Sequence, residues 1–340
     1  MPIQGFTRFR KHQVGKQTAF SSNVAATRAI PYRGPIVVDP AREQPDVDVG
    51  SLDPILSPFN GALSVTSTWT GKEAFNDASM LWAMTLKDVT APTGGATGRI
   101  WTFTAASLTA DDFPYITDEW GDDATTDFLI GGSAVINSLE VGFGDDLSAW
   151  DVSADVVYAR VQIGSGPTGG LTVDSTPNWV YGADTEVYLD TTAANIGTTK
   201  LTDAIHGATV TVNNNLDLKR WANGSNTRFQ LGGYGRGERE ITVELVVAKT
   251  TATIAERATL DDTPVPNRYI ELKTTSPEII GASTPFSQSI RVPARLISAS
   301  DGEIGGNSTI TFTYRGFYDS TLTYAIKVVV VNEQLTLLAP

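Results

Sequence analysis

EITVELVV, running from Glu240 to Val247, sets Ile241, Val243, Leu245 and Val247 against Glu240, Thr242 and Glu244. A period of two marks an extended strand with one face on a core and the other in solvent. The habit recurs on both sides of this stretch. Downstream, Ile310, Phe312 and Tyr314 alternate with Thr309, Thr311 and Thr313. Upstream, Leu63, Val65 and Trp69 alternate with Ser64, Thr66 and Thr68, and Trp101 and Phe103 with Thr102 and Thr104. Leu139, Val141 and Phe143 flank Glu140, while Val152, Ala154, Val156 and Tyr158 face away from Asp151, Ser153 and Asp155. Such strands belong to antiparallel sheets with one wet face. The expected fold class is therefore all-β.

Two short stretches carry a helical period. Glu73–Leu86 gathers Phe75, Ala78, Met80, Leu81 and Trp82 near one stripe, and Thr253–Leu260 has room for about two turns. Each stretch follows one alternating strand and precedes another. A long strand with an acidic turn comes next (Val135–Phe143 then Asp145-Asp146; Ile290–Ala299 then Asp301-Gly302), followed by a partner strand. The order strand, helix, strand, long hairpin thus occurs twice. It predicts two tandem antiparallel β-sandwich or partial-barrel domains, 35–165 and 183–340, each with one flanking helix. Residues 166–182, within a run rich in Gly, Pro and Thr, read as the linker. Residues 1–34 read as an extended basic arm.

Composition narrows the chemistry. The 340 residues include no cysteine and two histidines, His12 and His206, which argues against structural zinc, thiolate nucleophiles and disulfides. No apolar run approaches the ~18 residues of a membrane span, and Met1–Gly15 lacks the apolar segment of a secretory signal; a soluble chain made in the cytoplasm is expected. The net charge of -13 is unevenly spread. Residues 1–30 hold Arg8, Arg10, Lys11, Lys16 and Arg28 with no acidic group, whereas residues 31–165 hold twenty acidic against six basic side chains. A basic arm ahead of an acidic body suits docking on an acidic neighbour, the alternative being a solvated terminus. The acidic body argues against tight nucleic-acid binding.

The motifs that could carry catalysis have plainer readings. Asp111-Asp112, Asp122-Asp123, Asp145-Asp146 and Asp261-Asp262 sit beside turn residues, and adjacent carboxylates point apart instead of flanking a sugar. No loop has the alternate carboxylate spacing of a calcium site. GGYGRG, Gly232–Gly237, leads into a strand where a phosphate loop needs a helix, so a hairpin tip is expected. His206 runs straight into an alternating strand. Trp69, Trp82 and Trp101 read as core, and Trp120, Trp150, Trp179 and Trp221 as interface candidates near strand ends. No enzyme, cofactor or metal is expected.

Four stretches carry a resemblance. They are VGKQTAFSSNVAATRAIP (Val14–Pro31), IWTFTAAS with LIGGSAVINSLEVGF (Ile100–Ser107 and Leu129–Phe143), Ala208–Leu245, and SIRVPARLISASDGEIGGNSTITFTYRGFYD (Ser289–Asp319). In their order the chain resembles the tail tube (major tail) proteins of long-tailed bacteriophages. The resemblance implies subunits whose inner sheets join into a barrel, rings that stack into a tube in the virion tail after assembly in the host cytoplasm, and double-stranded DNA as passing cargo. It also implies tape-measure and tail terminator or tip proteins as partners. A duplicated tube domain implies a trimer with pseudo-sixfold symmetry; without duplication a hexamer is implied. Lumen-lining candidates are Glu140, Asp151, Asp155, Glu240 and Glu244, with Ser153, Thr242, Thr309, Thr311 and Thr313 on the same faces. Arg8, Arg10, Lys11, Lys16 and Arg28 are inter-ring candidates. The alternative function is a carbohydrate-binding or adhesion module of a tail tip or fibre. A glycoside hydrolase, resting on the acidic pairs alone, is the third.

Overall fold

The computed structural model describes residues 10–43, 59–89, 91–95, 97–105, 113–122, 127–164, 166–202, 204–221 and 230–338. In chain order the first half contains β1 (Arg10–Lys16), β2 (Arg28–Ala29), β3 (Val37–Asp39), β4 (Arg42–Glu43), β5 (Phe59–Asn60), β6 (Ser64–Lys72), helix α1 (Phe75–Thr85), β7 (Arg99–Thr104), β8 (Ile116–Asp122), β9 (Asp127–Phe143), β10 (Asp151–Val157) and β11 (Arg160–Gly164). The second contains β12 (Thr185–Asp190), β13 (Ile205–Asn213), β14 (Asp217–Lys219), β15 (Gly233–Gly235), β16 (Glu240–Ala248), helix α2 (Thr251–Ala258), β17 (Asn267–Ile280), β18 (Thr284–Ile304), β19 (Asn307–Gly316) and β20 (Lys327–Asn332). The chain is all-β, a sandwich-like arrangement with two short helices. No helix among the described residues is long and apolar enough to cross a membrane.

Alternation decides which way each strand faces. In β16 the residues Ile241, Val243, Leu245 and Val247 are buried while Glu240 and Glu244 are exposed, and β6, β10, β13 and β19 alternate likewise. Their apolar sides share one hydrophobic cluster with α1. One antiparallel path, β18-β19-β16-β13-β9-β10-β6-β3, runs through both halves, and β13 hydrogen-bonds directly to β9.

The strand order β3-β6-β10-β9 in the first half recurs as β13-β16-β19-β18 in the second. Register repeats as well as order. β6 and β16 are both nine residues long, and two residues separate each from its helix. The hairpin β9–β10 carries a bulge that leaves Asn137 unopposed, because Ser138 faces Asp155 and Ile136 faces Val156. In β18–β19 Ile297 is left out in the same way, between Ser298 facing Thr313 and Leu296 facing Tyr314. An extra residue at matching sites re-aims the long strand identically in both halves.

The expected boundaries at 165 and 183 fall within a structure that is continuous across them. The stretch expected as a linker is stitched to strand ends: Val180 N–H donates to Glu73 O, Trp150 N–H donates to Val180 O, and Val180 is fully buried. Further back, Thr168 donates from its backbone N–H and its hydroxyl to the Glu119 carboxylate. The extended arm is also corrected over residues 10–34. β1 pairs along its whole length with β8 and buries His12, Gln13 and Val14, because a strand flanked by β2 and β8 satisfies backbone groups that a free arm leaves to water.

The helices differ from each other. α1 is buried on all sides, against β9, β18, β20 and β7, so no polar stripe is needed. α2 begins two residues earlier than its sequence period suggests, since Thr250 and Thr253 form a reciprocal capping box. Its Glu256 is held by Arg268 from β17, with Nε 2.9 Å and Nη2 2.8 Å from the carboxylate oxygens.

Candidate functional site

Because alternation is in phase across neighbouring strands, the polar residues of one strand lie beside those of the next. One row crosses the sheet as Thr70, Ser153, Glu140, Thr211, Thr242 and Arg315; another passes Lys72, Asp151, Thr209, Glu244 and Thr313. All five carboxylates expected to share a surface, Glu140, Asp151, Asp155, Glu240 and Glu244, are exposed on this one face, opposite the core. Thr311, Thr313, Thr242 and Ser153 accompany them half-buried. Thr309 is the exception: only 1% of it is exposed.

Two cations answer part of the charge. Lys72 Nζ lies 2.8 Å from Asp151 Oδ1 and Arg315 Nη2 lies 3.1 Å from Glu240 Oε1, both pairs on the surface, where water screens them to a fraction of a kcal/mol each, about 0–1. Thr68 donates to Asp155 Oδ1 at 2.9 Å. The face is thus a hydroxyl-rich surface with an excess of negative charge. A groove of about 460 Å³ on it runs between Glu140, Asp151, His206 and Glu244. Among the described residues no three His, Asp or Glu side chains gather in a metal-binding group.

Two of the basic candidates, Lys16 and Arg28, are used inside the subunit. Lys16 Nζ lies 2.7 Å from Asp88 Oδ1, and Arg28 pairs with Asp77 on α1, where both side chains are largely buried. Burial pushes the Asp77 carboxyl up, and Arg28 pulls it back down. Lys16 and Arg28 therefore join β1 and β2 to the α1 region within the first half. Arg10 is exposed at the start of β1, Lys11 is half-buried within it, and Arg8 lies outside the described residues.

The aromatic and glycine assignments divide. Trp69, Trp82 and Trp101 are fully buried as expected, but so is Trp150, whose indole N–H donates to Thr185 Oγ1 at 3.1 Å. Trp221 is 59% exposed. GGYGRG is in part a strand, β15, paired with β14, and Tyr234 within it donates its hydroxyl to Ser133 O; residues 222–229 lie outside the described residues. Asp145-Asp146 occupy a turn. Asp111, Asp112 and Asp123 are not among the described residues.

Two buried polar clusters have no counterpart in the periodic pattern. His12 places Nδ1 2.7 Å from Tyr32 O and Nε2 2.9 Å from Asp118 Oδ1, and Tyr158 donates to the other Asp118 oxygen. Burial, then the neighbouring carboxylate, raises the Tyr158 phenol well above its ordinary range. This cluster ties β1 to β8 and to the end of β10. The second centres on Glu73, fully buried, whose Oε2 accepts from Gln288 Nε2 at 3.3 Å. Burial pushes its carboxyl up to about 8, against the opposing pull of that hydrogen bond. The only sequence signal for either is a polar residue inside a strand or at a helix start.

The face thus has three features: continuity across both halves, negative charge, and strands at either end with an unpaired side. The outer side of β3 and the side of β18 beyond Arg295 have no strand partner among the described residues. Compared with known proteins, the sequence matches no family model and no curated protein.

Proposed function

We propose that the chain is a structural subunit that polymerises into stacked rings, forming the hollow tail tube of a long-tailed bacteriophage through which double-stranded DNA passes. The observation that carries this reading is the run of eight strands from β18 to β3, polar and acidic on one face and, among the described residues, without a strand partner along the outer side of β3 and along β18 beyond Arg295. Open strand edges are aggregation templates unless a partner completes them, and heterologous contacts close into rings when their rotation closes. A ring of three such copies contains twenty-four strands in this sheet, eight from each. The internal repeat makes six quasi-equivalent units of three chains, which favours the trimer over the hexamer. Tape-measure and terminator or tip proteins are the further partners, and the virion tail the location.

An acidic, hydroxyl-lined bore suits a conduit. Phosphates are repelled at a distance and find few cations to grip, so a duplex moves along without sticking. Negative-stain microscopy of purified protein at rising concentration tests the reading. Rings or hollow tubes are expected, and compact particles that bind glycans would instead support the adhesion module. Within assembled tubes, reversing Asp151, Asp155, Glu240 and Glu244 to lysine is expected to preserve the tube and slow DNA ejection. Unchanged ejection would remove these residues from the bore.

A further inference from the structure

The internal repeat supplies a template for contact between copies. At the junction of the halves, β9 beyond its bulge accepts β13 as a neighbour, with Ser138 opposite Asn213, Leu139 opposite Val212 and Glu140 opposite Thr211. Matching the two bulges, Asn137 with Ile297, carries Ser138, Leu139 and Glu140 onto Ser298, Ala299 and Ser300 of β18. Matching β6 with β16 residue for residue carries Thr211, Val212 and Asn213 of β13 onto Val37, Val38 and Asp39 of β3. The strand neighbours occupied at the internal junction are those absent from β18 beyond Arg295 and from the outer side of β3, among the described residues.

We infer that β3 of one copy pairs antiparallel with the 298–300 segment of β18 in a second copy, placing Asp39 opposite Ser298, Val38 opposite Ala299 and Val37 opposite Ser300. The inference deepens the self-assembly reading and rests on it. Exposure supports the choice of occupant. Val38 is 40% exposed, while Val212 at its counterpart position is 0% exposed under the internal junction. Ile297, the bulge residue beside this edge, is 53% exposed, and Val37 is 56% exposed. Apolar side chains on an open backbone edge are what a second strand would cover. Face parity also agrees. Val38 and Ala299 fall on the side that is core at the internal junction, and Val37, Asp39, Ser298 and Ser300 on the polar side, so the acidic face continues from copy to copy. The backbone from Arg33 already extends this edge, since Arg33 and Thr70 exchange both backbone hydrogen bonds at 2.8 Å in the register of β3 with β6.

The chain has no cysteine, so paired substitutions report contact without background. V38C with A299C and V37C with S300C, each pair in one full-length chain, should give disulfide-linked multimers on mild oxidation of assembled protein, resolved on a non-reducing gel. Two pairs are used because directly opposed positions alternate between wide and close Cα spacing. V38C with S308C, which the register keeps apart, should give none. Rings or tubes in which neither in-register pair cross-links would overturn this edge pairing and leave self-assembly standing. Equal cross-linking of the V38C/S308C control would overturn it too. Protein that stays monomeric at every concentration would overturn both readings.

Discussion

Glu73 shows how one buried side chain sets a pH dependence. The folded chain keeps its carboxyl protonated up to about pH 8, whereas an ordinary glutamate ionises near 4.5. Between those values the unfolded chain binds fewer protons, so stability falls as pH rises, by about 1.4 kcal/mol per pH step at most, and levels off above 8. E73Q keeps an acceptor for Gln288 and removes the ionisation. It should raise stability at pH 7 by up to about 3 kcal/mol and flatten the slope of denaturation midpoints between pH 5 and 8; an unaltered slope would assign that dependence elsewhere. Arg268 presents the opposite case. Its guanidinium is the counter-ion of Glu256, which also accepts from the Tyr314 hydroxyl at 3.2 Å, and both charged side chains are mostly shielded from water. R268A should destabilise by about 3 kcal/mol, since it leaves a carboxylate partly buried without its cation; urea titration of variant and parent measures the difference.

At the scale of elements, the two bulges are the features on which orientation depends. Ile297 allows Leu296 and Ala299 to point toward the core side while Ser298 and Ser300 stay on the polar side. Deleting Ile297 shifts the following residues by one position against β19 and turns serines toward the apolar layer. The deletion should cost at least about 2 kcal/mol and speed hydrogen exchange in β18 and β19, with native exchange rates arguing that the bulge is dispensable. The helices illustrate divergence within the repeat. α1 is enclosed because strands of the second half cover it, whereas Ile254 on α2 remains 43% exposed.

For the whole molecule, the continuity of the sheet and core through both halves predicts a single cooperative unit. Removing residues 1–30 takes away β1 and the side chains of His12, Val14 and Arg28, which close the hydrophobic cluster and anchor Asp118 and Asp77. The truncated chain should therefore be unfolded or markedly less stable in circular-dichroism melts. A stable truncated subunit defective only in stacking would show that β1 is an accessory strand after all. The sequence marked this segment as basic and hence as an arm. Lys16 and Arg28 instead find their partners 72 and 49 residues away along the chain, a separation that local patterning does not register.

The sequence by itself determined which side is polar in the strands that alternate, the all-β class, both helices to within a few residues, and the five carboxylates Glu140, Asp151, Asp155, Glu240 and Glu244 as strand-face residues. Alternation is a local period, and every residue's direction follows from its neighbours two positions away. Only the tertiary structure decided which strands adjoin, that those carboxylates lie on a single surface, and that β13 bridges the halves at β9. Pairing is made by backbone groups that all residues share, so it leaves little trace in side-chain order. The same reason hid β8: Thr117, Asp118 and Glu119 show no apolar alternation, yet all three are buried between β1 and β9, with His12, Gln17, Tyr158 and Thr168 as their polar partners.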